Sequence, residues 1–228
     1  MNIIALGFLG SLAAGLMTAA GAVPILFGRT VSRRTNDVLL GFAAGVMLSA
    51  SFFSLIIPSL EISTRLYGEG YYPVLIAVGG IILGAAAIHL LDERIPHRHF
   101  IKGYEGPKAE SIRKIWLFVI AITLHNVPEG LAVGVGFGGG DISAATTLAL
   151  GIGLQNAPEG LAVALALQSE GYSKKYAFTV ASLTGLVEPV AGLAGVAAVS
   201  ASQVLLPWGL TFAAGAMIYV ISNEIIPE

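Results

Sequence analysis

Long apolar blocks constrain the fold of this chain more than any other feature of its sequence. Only 11% of its 228 residues are charged and 55% are hydrophobic, whereas a soluble domain carries about 25% charged residues. A block of roughly 20 apolar residues is long enough to cross a bilayer as a helix. The sequence therefore predicts an all-α fold, a polytopic membrane helix bundle.

Seven such spans can be drawn along the chain, and together they form a single transmembrane domain over residues 1–228. Only the polar interval at residues 92–113 is long. The spans are 2–27, 38–60, 71–91, 114–137, 143–168, 175–200 and 205–226.

Lys and Arg residues predict the orientation of these spans, because basic loops stay in the cytoplasm. If the N-terminus is outside, every Lys and Arg except Arg65 falls on the cytoplasmic side. Residues 92–113 are then a cytoplasmic loop. No basic stripe of the kind that binds nucleic acid is present, and the absence of Cys excludes thiolate ligands and disulfides.

Two internal repeats indicate an inverted architecture. Residues 125–133 (HNVPEGLAV) in the fourth span match residues 155–163 (QNAPEGLAV) in the fifth. Residues 42–47 (FAAGVM) in the second span match residues 212–217 (FAAGAM) in the seventh. Each pair lies on spans that run in opposite directions, which is typical of transporters. The same symmetry predicts an eighth helix as the counterpart of the third, so seven helices of an expected eight are present.

The first copy of the longer repeat predicts metal ligands on one helical face. At about 100° per residue, Glu129 lies roughly 40° from His125, while Asn126 lies roughly 100° from it. The carboxylate of Glu129 therefore lies between the other two side chains and can serve a metal ion on either side.

The fifth span repeats this pattern with Gln155, Asn156 and Glu159, and Glu188 lies at a similar depth in the sixth span. A charge at the centre of a bilayer costs about 2.5–3.5 kcal/mol on insertion scales, so such groups are usually functional. The two motifs together predict a pair of adjacent cation sites with shared carboxylates. One imidazole with carboxylates and amides suits zinc, iron(II), manganese or cadmium and disfavours copper(I).

On these motifs the sequence resembles the ZIP (Zrt/Irt-like protein) family of metal transporters, in particular its bacterial members, over essentially the whole chain. The resemblance implies eight helices, a binuclear metal centre, and transport of Zn²⁺ or a similar ion toward the cytoplasm. It also implies an elevator-like slide of the first, fourth, fifth and sixth helices against the rest. The location would be the bacterial inner membrane, in contact with lipid, and a homodimer is a further candidate assembly.

Carried over by position, the resemblance assigns a ligand set to each metal site. One site would use His125, Glu129, Gln155 and Glu159. The other would use Asn126, Glu129, Asn156, Glu159 and Glu188. Many family members have His where Gln155 stands and some have a carboxylate in place of Asn156, so metal preference stays open.

The resemblance also implies a route to and from these sites. Met47 and Ser54 would line the route from outside. Asp37 and Glu224 would lie at the cytoplasmic exit, near His89 and a metal-capturing loop with His97 and His99.

Each residue also has a plainer interpretation. Gln155 and Asn156 can hold helices together by hydrogen bonds, and Glu188 can pair with Thr184. Asp37 can cap the second helix. The remaining plain interpretations are core packing for Met47 and Ser54, an interfacial position for His89, a solvated loop for His97 and His99, and a polar helix end for Glu224.

Two other functions fit a buried polar site less well. An intramembrane zinc protease would need His-Glu-x-x-His on one helix, and this chain has no such pair. A cation channel would use rings of carbonyls or charges rather than asymmetric chelation. We therefore expect a transporter and not an enzyme.

Overall fold

The computed structural model describes residues 2–28, 32–94 and 107–222, and every regular element in those ranges is helical. Six stretches are long and apolar enough to cross a membrane, and Leu205–Val220 is a shorter apolar helix. The predicted polytopic helix bundle is confirmed. The elements are α1 (Ile3–Leu26), α2 (Arg33–Ser49), a π-helical segment (Ala50–Ile56), α3 (Ile57–Tyr67), α4 (Tyr71–Arg94), α5 (Pro107–Gly138), α6 (Ile142–Ser169), α7 (Lys174–Gly185), α8 (Val187–Ala201) and α9 (Leu205–Val220).

Short polar side chains cap the starts of several helices, where the first backbone N–H groups lack helical partners. Asp141 Oδ1 accepts from the backbone N–H of Ala144 at 3.0 Å at the start of α6. Ser32 Oγ accepts from the N–H of Thr35 at 3.1 Å at the start of α2. Because Ser32 is the cap, Asp37 lies one turn inside α2, and its interpretation as the N-cap is wrong.

The second span is longer than the hydropathy pattern predicts and contains a π-helical segment. Pro58 has no N–H to donate to the carbonyl of Ser54. The π-helical segment covers Ala50–Ile56 and ends two residues before this proline. Such segments are rare and are frequently found at functional sites.

The sixth predicted span is broken at Leu186, between α7 and α8. Pro189 cannot donate to the carbonyl of Gly185. A side chain at Gly15 of α1 would overlap that carbonyl oxygen. The break therefore lies where α1 packs closely against the chain, and it places Glu188 in the first turn of α8.

The helices form two groups by their contacts. In the first, named the site group, α1 packs against α5, α6, α7 and α8, and α5 packs against α8. In the second, the flanking group, α4 packs against α9, and α3 packs against both. The π segment joins the flanking group through α9, and α2 connects to it by continuity. The groups meet where α2 contacts α6 and α5 contacts α9.

Glycines bring backbones into contact inside each group. A Cβ on Gly134 of α5 would overlap the carbonyl oxygen of Gly192 in α8, and a Cβ on Gly160 of α6 would overlap that of Thr18 in α1. Gly215 of α9 approaches the backbone of α4 in the same way. Helices this close have no room for side chains between them, as is typical of helix packing in membranes.

Side chains instead fill the boundary between the groups. A Cβ on Gly139 would lie 3.2 Å from the side chain of Leu206, and one on Gly209 would lie 3.1 Å from that of Val135. The buried cluster at this boundary is mostly aliphatic and includes Met47, with Phe137 as an aromatic member.

Candidate metal site

The seven polar residues that the sequence predicts as ligands are all buried, and they lie on three helices of the site group. None of their side chains is more than 1% exposed. They are His125, Asn126 and Glu129 on α5, Gln155, Asn156 and Glu159 on α6, and Glu188 on α8.

A hydrogen bond connects the two copies of the repeated motif. Gln155 Nε2 donates to Glu129 Oε1 at 2.5 Å, so the contact joins α6 to α5. The oxygen of an ionised carboxylate can only accept hydrogen bonds. The amide therefore turns its nitrogen, which donates, toward Glu129. The other oxygens of this pair, Glu129 Oε2 and Gln155 Oε1, are buried and receive no hydrogen bond from the described residues.

A second amide connects α6 to both α8 and α1. Asn156 Nδ2 donates to Glu188 Oε1 at 2.7 Å and to the backbone carbonyl of Ala14 at 2.9 Å. Both hydrogens of this amide are therefore used. The oxygens that remain, Asn156 Oδ1 and Glu188 Oε2, are buried without a hydrogen-bond partner in the described ranges.

The carboxylates lie near enough to one another to interact electrostatically. Glu129 interacts with both Glu159 and Glu188, and Glu159 interacts with Glu188. Neither oxygen of Glu159 has a hydrogen-bond partner among the described residues. Buried charges that are not paired are costly, so this arrangement favours a cation as the compensating group.

The described residues contain no group of three His, Asp or Glu side chains that already converges as a metal site. Amides lie beside the carboxylates instead. Gln155 and Asn156 each donate a hydrogen bond to one carboxylate oxygen. A metal ion would therefore draw on mixed carboxylate, amide and imidazole donors. Oxygen and nitrogen donors of this kind suit zinc and other divalent transition metals.

The glycine after each motif glutamate explains why the carboxylates lie so near neighbouring helices. A Cβ on Gly130 would overlap the backbone of Glu188, and one on Gly160 would overlap the backbone of Thr18. Each Pro-Glu-Gly sequence therefore joins a buried carboxylate to a residue that permits backbone contact.

The contribution of α1 to the site was not predicted from the sequence. Its carbonyl at Ala14 holds Asn156, and a Cβ on Gly15 would lie 3.4 Å from the side chain of Glu188. The one available signal was a strip of small residues at spacings of three and four along the first span, a pattern that indicates close helix contact. The buried small residues of this strip are Gly7, Ser11, Ala14, Gly15, Thr18 and Ala22.

The residues predicted on the route from outside lie in different surroundings. Met47 is fully buried in the aliphatic cluster at the boundary. Ser54 lines a cavity of about 750 Å³ between the two groups, together with Glu61, Arg65 and Asp141.

The other predicted residues lie apart from the buried ligand set. Asp37 is exposed on α2, and His89 Nδ1 lies 3.0 Å from Tyr219 OH in a contact between α4 and α9. The predictions for His97, His99 and Glu224 fall outside the described residues.

The plainer interpretation of Glu188 as a partner of Thr184 finds no support. Thr184 Oγ1 donates to the carbonyl of Ala181 at 2.8 Å, while Glu188 accepts from Asn156.

Comparison with known proteins identifies clear relatives. A family model described as "ZIP Zinc transporter" matches residues 101–228. The chain is 46% identical to "Zinc transporter GufA" of Myxococcus xanthus over 222 residues, which is 97% of this chain and 87% of that protein. It is 44% identical to "Zinc transporter ZIPB" of Bordetella bronchiseptica over 220 residues, 96% of this chain and 71% of that protein. It is also 36% identical to "Zinc transporter ZIP11" of Homo sapiens over 293 residues, covering 93% and 86% respectively.

Proposed function

This chain belongs to the ZIP family of zinc transporters, and we propose that it carries divalent transition-metal ions, zinc foremost, toward the cytoplasm. Family membership makes the protein a transporter and not an enzyme. The names of these relatives mention zinc and no other metal. Iron, cadmium and manganese remain candidates because the same donor types suit them.

The set of three buried carboxylates, two of them hydrogen-bonded to amides, is the observation that carries this proposal. Glu129, Glu159 and Glu188 come from three helices, yet they interact with one another away from water. A divalent cation bound among them would compensate their negative charge, which the surrounding hydrocarbon cannot do. The two amides add oxygen donors, which bind metals more weakly than carboxylates do, and a carrier benefits because the ion has to leave again.

A binuclear centre is the arrangement that the donor set supports best. His125 and Gln155 occupy matching positions in the two motifs, and so do Asn126 and Asn156. One ion bound on the His125 side and one on the Asn126 side would share carboxylates between the two helices. Anomalous scattering from a zinc-loaded crystal would contradict this if it gave one peak.

An elevator-like movement of the site group against the flanking group agrees with how the helices pack. The proposed ligands all lie on helices of the site group, so the ion can travel with them. Backbone contacts at Gly134 and Gly160 hold that group together, whereas aliphatic side chains fill the boundary. Apolar side chains that pack against one another resist sliding less than groups joined by buried hydrogen bonds.

The cavity of about 750 Å³ is a suitable access route from outside. Its walls come from both helix groups and include Ser54, Glu61 and Asp141. Acidic side chains attract cations, and a cavity between two moving groups changes shape as they move. Met47 would line the same route at the boundary between the two groups, where it packs in the mostly aliphatic cluster.

An outside N-terminus in the bacterial inner membrane agrees with aromatic residues near the predicted cytoplasmic end. Trp116 Nε1 donates to Tyr172 OH at 3.0 Å, and Tyr172 stacks on Tyr176 with ring centroids 5.1 Å apart. Lys174 and Lys175 lie beside this cluster in sequence. Trp and Tyr concentrate at membrane interfaces, and Lys and Arg concentrate on the cytoplasmic side.

Metal uptake into proteoliposomes tests the proposal. Wild type and Glu159→Ala are compared across zinc, cadmium, iron(II) and manganese, with Ser59→Ala of the flanking group as a control. We expect saturable uptake by wild type and Ser59→Ala, and none by Glu159→Ala. Equal uptake by all three proteins would refute the proposed site, and uptake that never saturates would favour a pore.

A further inference from the structure

Within the described residues, the amides of Gln155 and Asn156 are hydrogen-bonded through their nitrogens but not through their oxygens. Their nitrogens donate to carboxylate oxygens of Glu129 and Glu188. Their oxygens are buried and receive no hydrogen bond from the described residues. An amide is therefore present at the site as a donor to the carboxylates and also as a potential metal ligand.

A carrier has to bring its site back after the ion has left, and this step is the hard one for a site rich in carboxylates. An ionised side chain at the bilayer centre is costly unless it is paired or hydrogen-bonded. The ion that compensates Glu129, Glu159 and Glu188 on the way in is no longer there on the way back. Hydrogen bonds from neighbouring side chains are one way to stabilise the carboxylates during the return.

We propose that Gln155 and Asn156 stabilise the carboxylates of Glu129 and Glu188 during the return of the emptied site, by donating amide hydrogens that replace the departed ion. This second role rests on the proposed carrier function. Rotation of an amide about its last side-chain bond exchanges oxygen for nitrogen with little change in volume. The same two side chains can thus coordinate the ion and then solvate the carboxylates.

The surroundings of Asn156 favour the donor orientation that the return of the emptied site requires. The carbonyl of Ala14 on α1 accepts a hydrogen from Nδ2 at 2.9 Å, so a backbone group holds the donor orientation that faces Glu188. Because Gly15 keeps α1 close to α8 at this point, that carbonyl stays within reach.

Asn126 offers a matched contrast within the same site. Its side chain is as buried as that of Asn156, but neither its nitrogen nor its oxygen is hydrogen-bonded to a described residue. Replacing Asn126 by Asp adds the same negative charge as replacing Asn156, without removing a donor to a carboxylate. The two substitutions separate the loss of a donor from the gain of a charge.

Net uptake and isotope exchange distinguish the two directions of the cycle. Net uptake of labelled zinc requires the emptied site to return in every turnover, whereas exchange of labelled for unlabelled zinc across the membrane does not. Proteoliposomes are prepared with wild type, Gln155→Glu, Asn156→Asp and Asn126→Asp, and both rates are measured for each. Exchange also reports whether a variant is folded.

We expect the ratio of net uptake to exchange to fall roughly tenfold in Gln155→Glu and Asn156→Asp, as suits the loss of a hydrogen bond to a charged group. Asn126 is itself a proposed ligand, so Asn126→Asp should change net uptake and exchange by the same factor and keep their ratio within about twofold of wild type, because no such hydrogen bond is lost. An equal fall in all three variants would show that added charge alone matters and would overturn the proposal. A fall of net uptake and exchange by the same factor in Gln155→Glu and Asn156→Asp would also overturn it, because the two amides would then act as ligands only.

If Gln155→Glu and Asn156→Asp show no exchange, two neutral variants of Gln155 test whether an N–H donor supports the return of the emptied site. Gln155→His keeps an N–H donor, whereas Gln155→Met has none. The ratio should be retained in the first and lowered in the second, and equal ratios would refute the proposed role. Absence of both net uptake and exchange in wild type would instead refute the transport function itself.

Discussion

The site group and the flanking group are both built from apolar helices, but they bury different chemistry. Among the described residues, the site group buries an imidazole, three carboxylates and three side-chain amides in addition to hydroxyls. The buried polar residues described in the flanking group carry hydroxyls alone: Ser51, Ser59, Ser63 and Thr211. Hydroxyls can bond to their own helix, as Ser51 Oγ does to the carbonyl of Met47 at 2.9 Å. Charged groups and amides need partners from other helices. The difference agrees with the proposal that the site group holds the metal ion and the flanking group supports it.

Removing a carboxylate from the site group should have the largest effect of the changes that test this contrast. In Glu159→Gln one carboxylate that contacts neither amide is replaced by a neutral side chain of the same shape. We expect zinc affinity to fall roughly 100-fold or more, because a directly bound group should matter at least as much as an outer-shell partner. Isothermal titration with zinc in detergent measures this.

The control for that experiment lies in the flanking group. Met47→Leu changes a fully buried side chain of similar volume in the aliphatic cluster. Such swaps are usually tolerated, so zinc affinity should be unchanged. A large loss with Met47→Leu would mean that the boundary itself takes part in binding.

Enlarging a glycine inside the site group should be the next largest effect. A side chain at Gly160 would overlap the backbone of Thr18, so α1 and α6 have to separate. Gly160→Val should destabilise the protein by about 3 kcal/mol, at the upper end of overpacking effects. The midpoint of thermal unfolding in detergent is the measurement.

Gly151 on the same helix is the matched control, because it faces the flanking group with Val46 4.0 Å from where its Cβ would lie. Gly151→Ala should leave the unfolding midpoint unchanged or raise it slightly, since Ala favours a helix by about 1 kcal/mol over Gly. If both substitutions had the same effect, packing inside the group and at its boundary would not differ as described.

Acidification should weaken metal binding by an intermediate amount. Carboxylates and imidazole bind a metal only when deprotonated, so zinc affinity should fall roughly tenfold from about pH 7.5 to about pH 5.5. Protons compete with the ion at low pH, and stronger binding at higher pH is the expected sign. Titrations at both pH values check this, and an affinity that does not change would contradict the assignment of ionisable ligands.

Removing a hydroxyl from the flanking group should have the smallest effect. Ser59 Oγ donates to the carbonyl of Pro207 at 2.8 Å, and Thr211 Oγ1 donates to the same carbonyl at 2.9 Å. Because that carbonyl keeps one partner, Ser59→Ala should cost only about 1 kcal/mol of stability. Uptake per folded molecule should equal that of wild type, and a transport defect would show that polar groups outside the site group also serve the ion.

Local patterns in the sequence predicted most of the helices, and the seven residues that they indicated as ligands are all buried. Hydropathy identifies a span because each residue either tolerates lipid or does not. Helical periodicity identifies a shared face because the angle between residues four apart is constant. The repeated Pro-Glu-Gly sequence then indicated which polar residues lie at similar depth on antiparallel helices.

The same local patterns did not predict the irregular backbone. The π-helical segment Ala50–Ile56 and the break at Leu186 both lie near prolines, but Pro128 and Pro158 lie inside helices that continue unbroken. A proline removes one hydrogen bond wherever it stands. The backbone's response depends on neighbouring helices, such as α1 at Gly15.

Sequence alone thus decided that this chain is a membrane helix bundle with carboxylates, amides and a histidine at its centre, because hydropathy and periodicity are properties of consecutive residues. Only the tertiary structure decided which of these groups meet: that Gln155 holds Glu129, that Asn156 holds Glu188, and that a backbone carbonyl of α1 orients the second pair. Those contacts join residues up to 142 positions apart. They depend on how closely the helices approach, which is set by glycines whose partners lie on other helices.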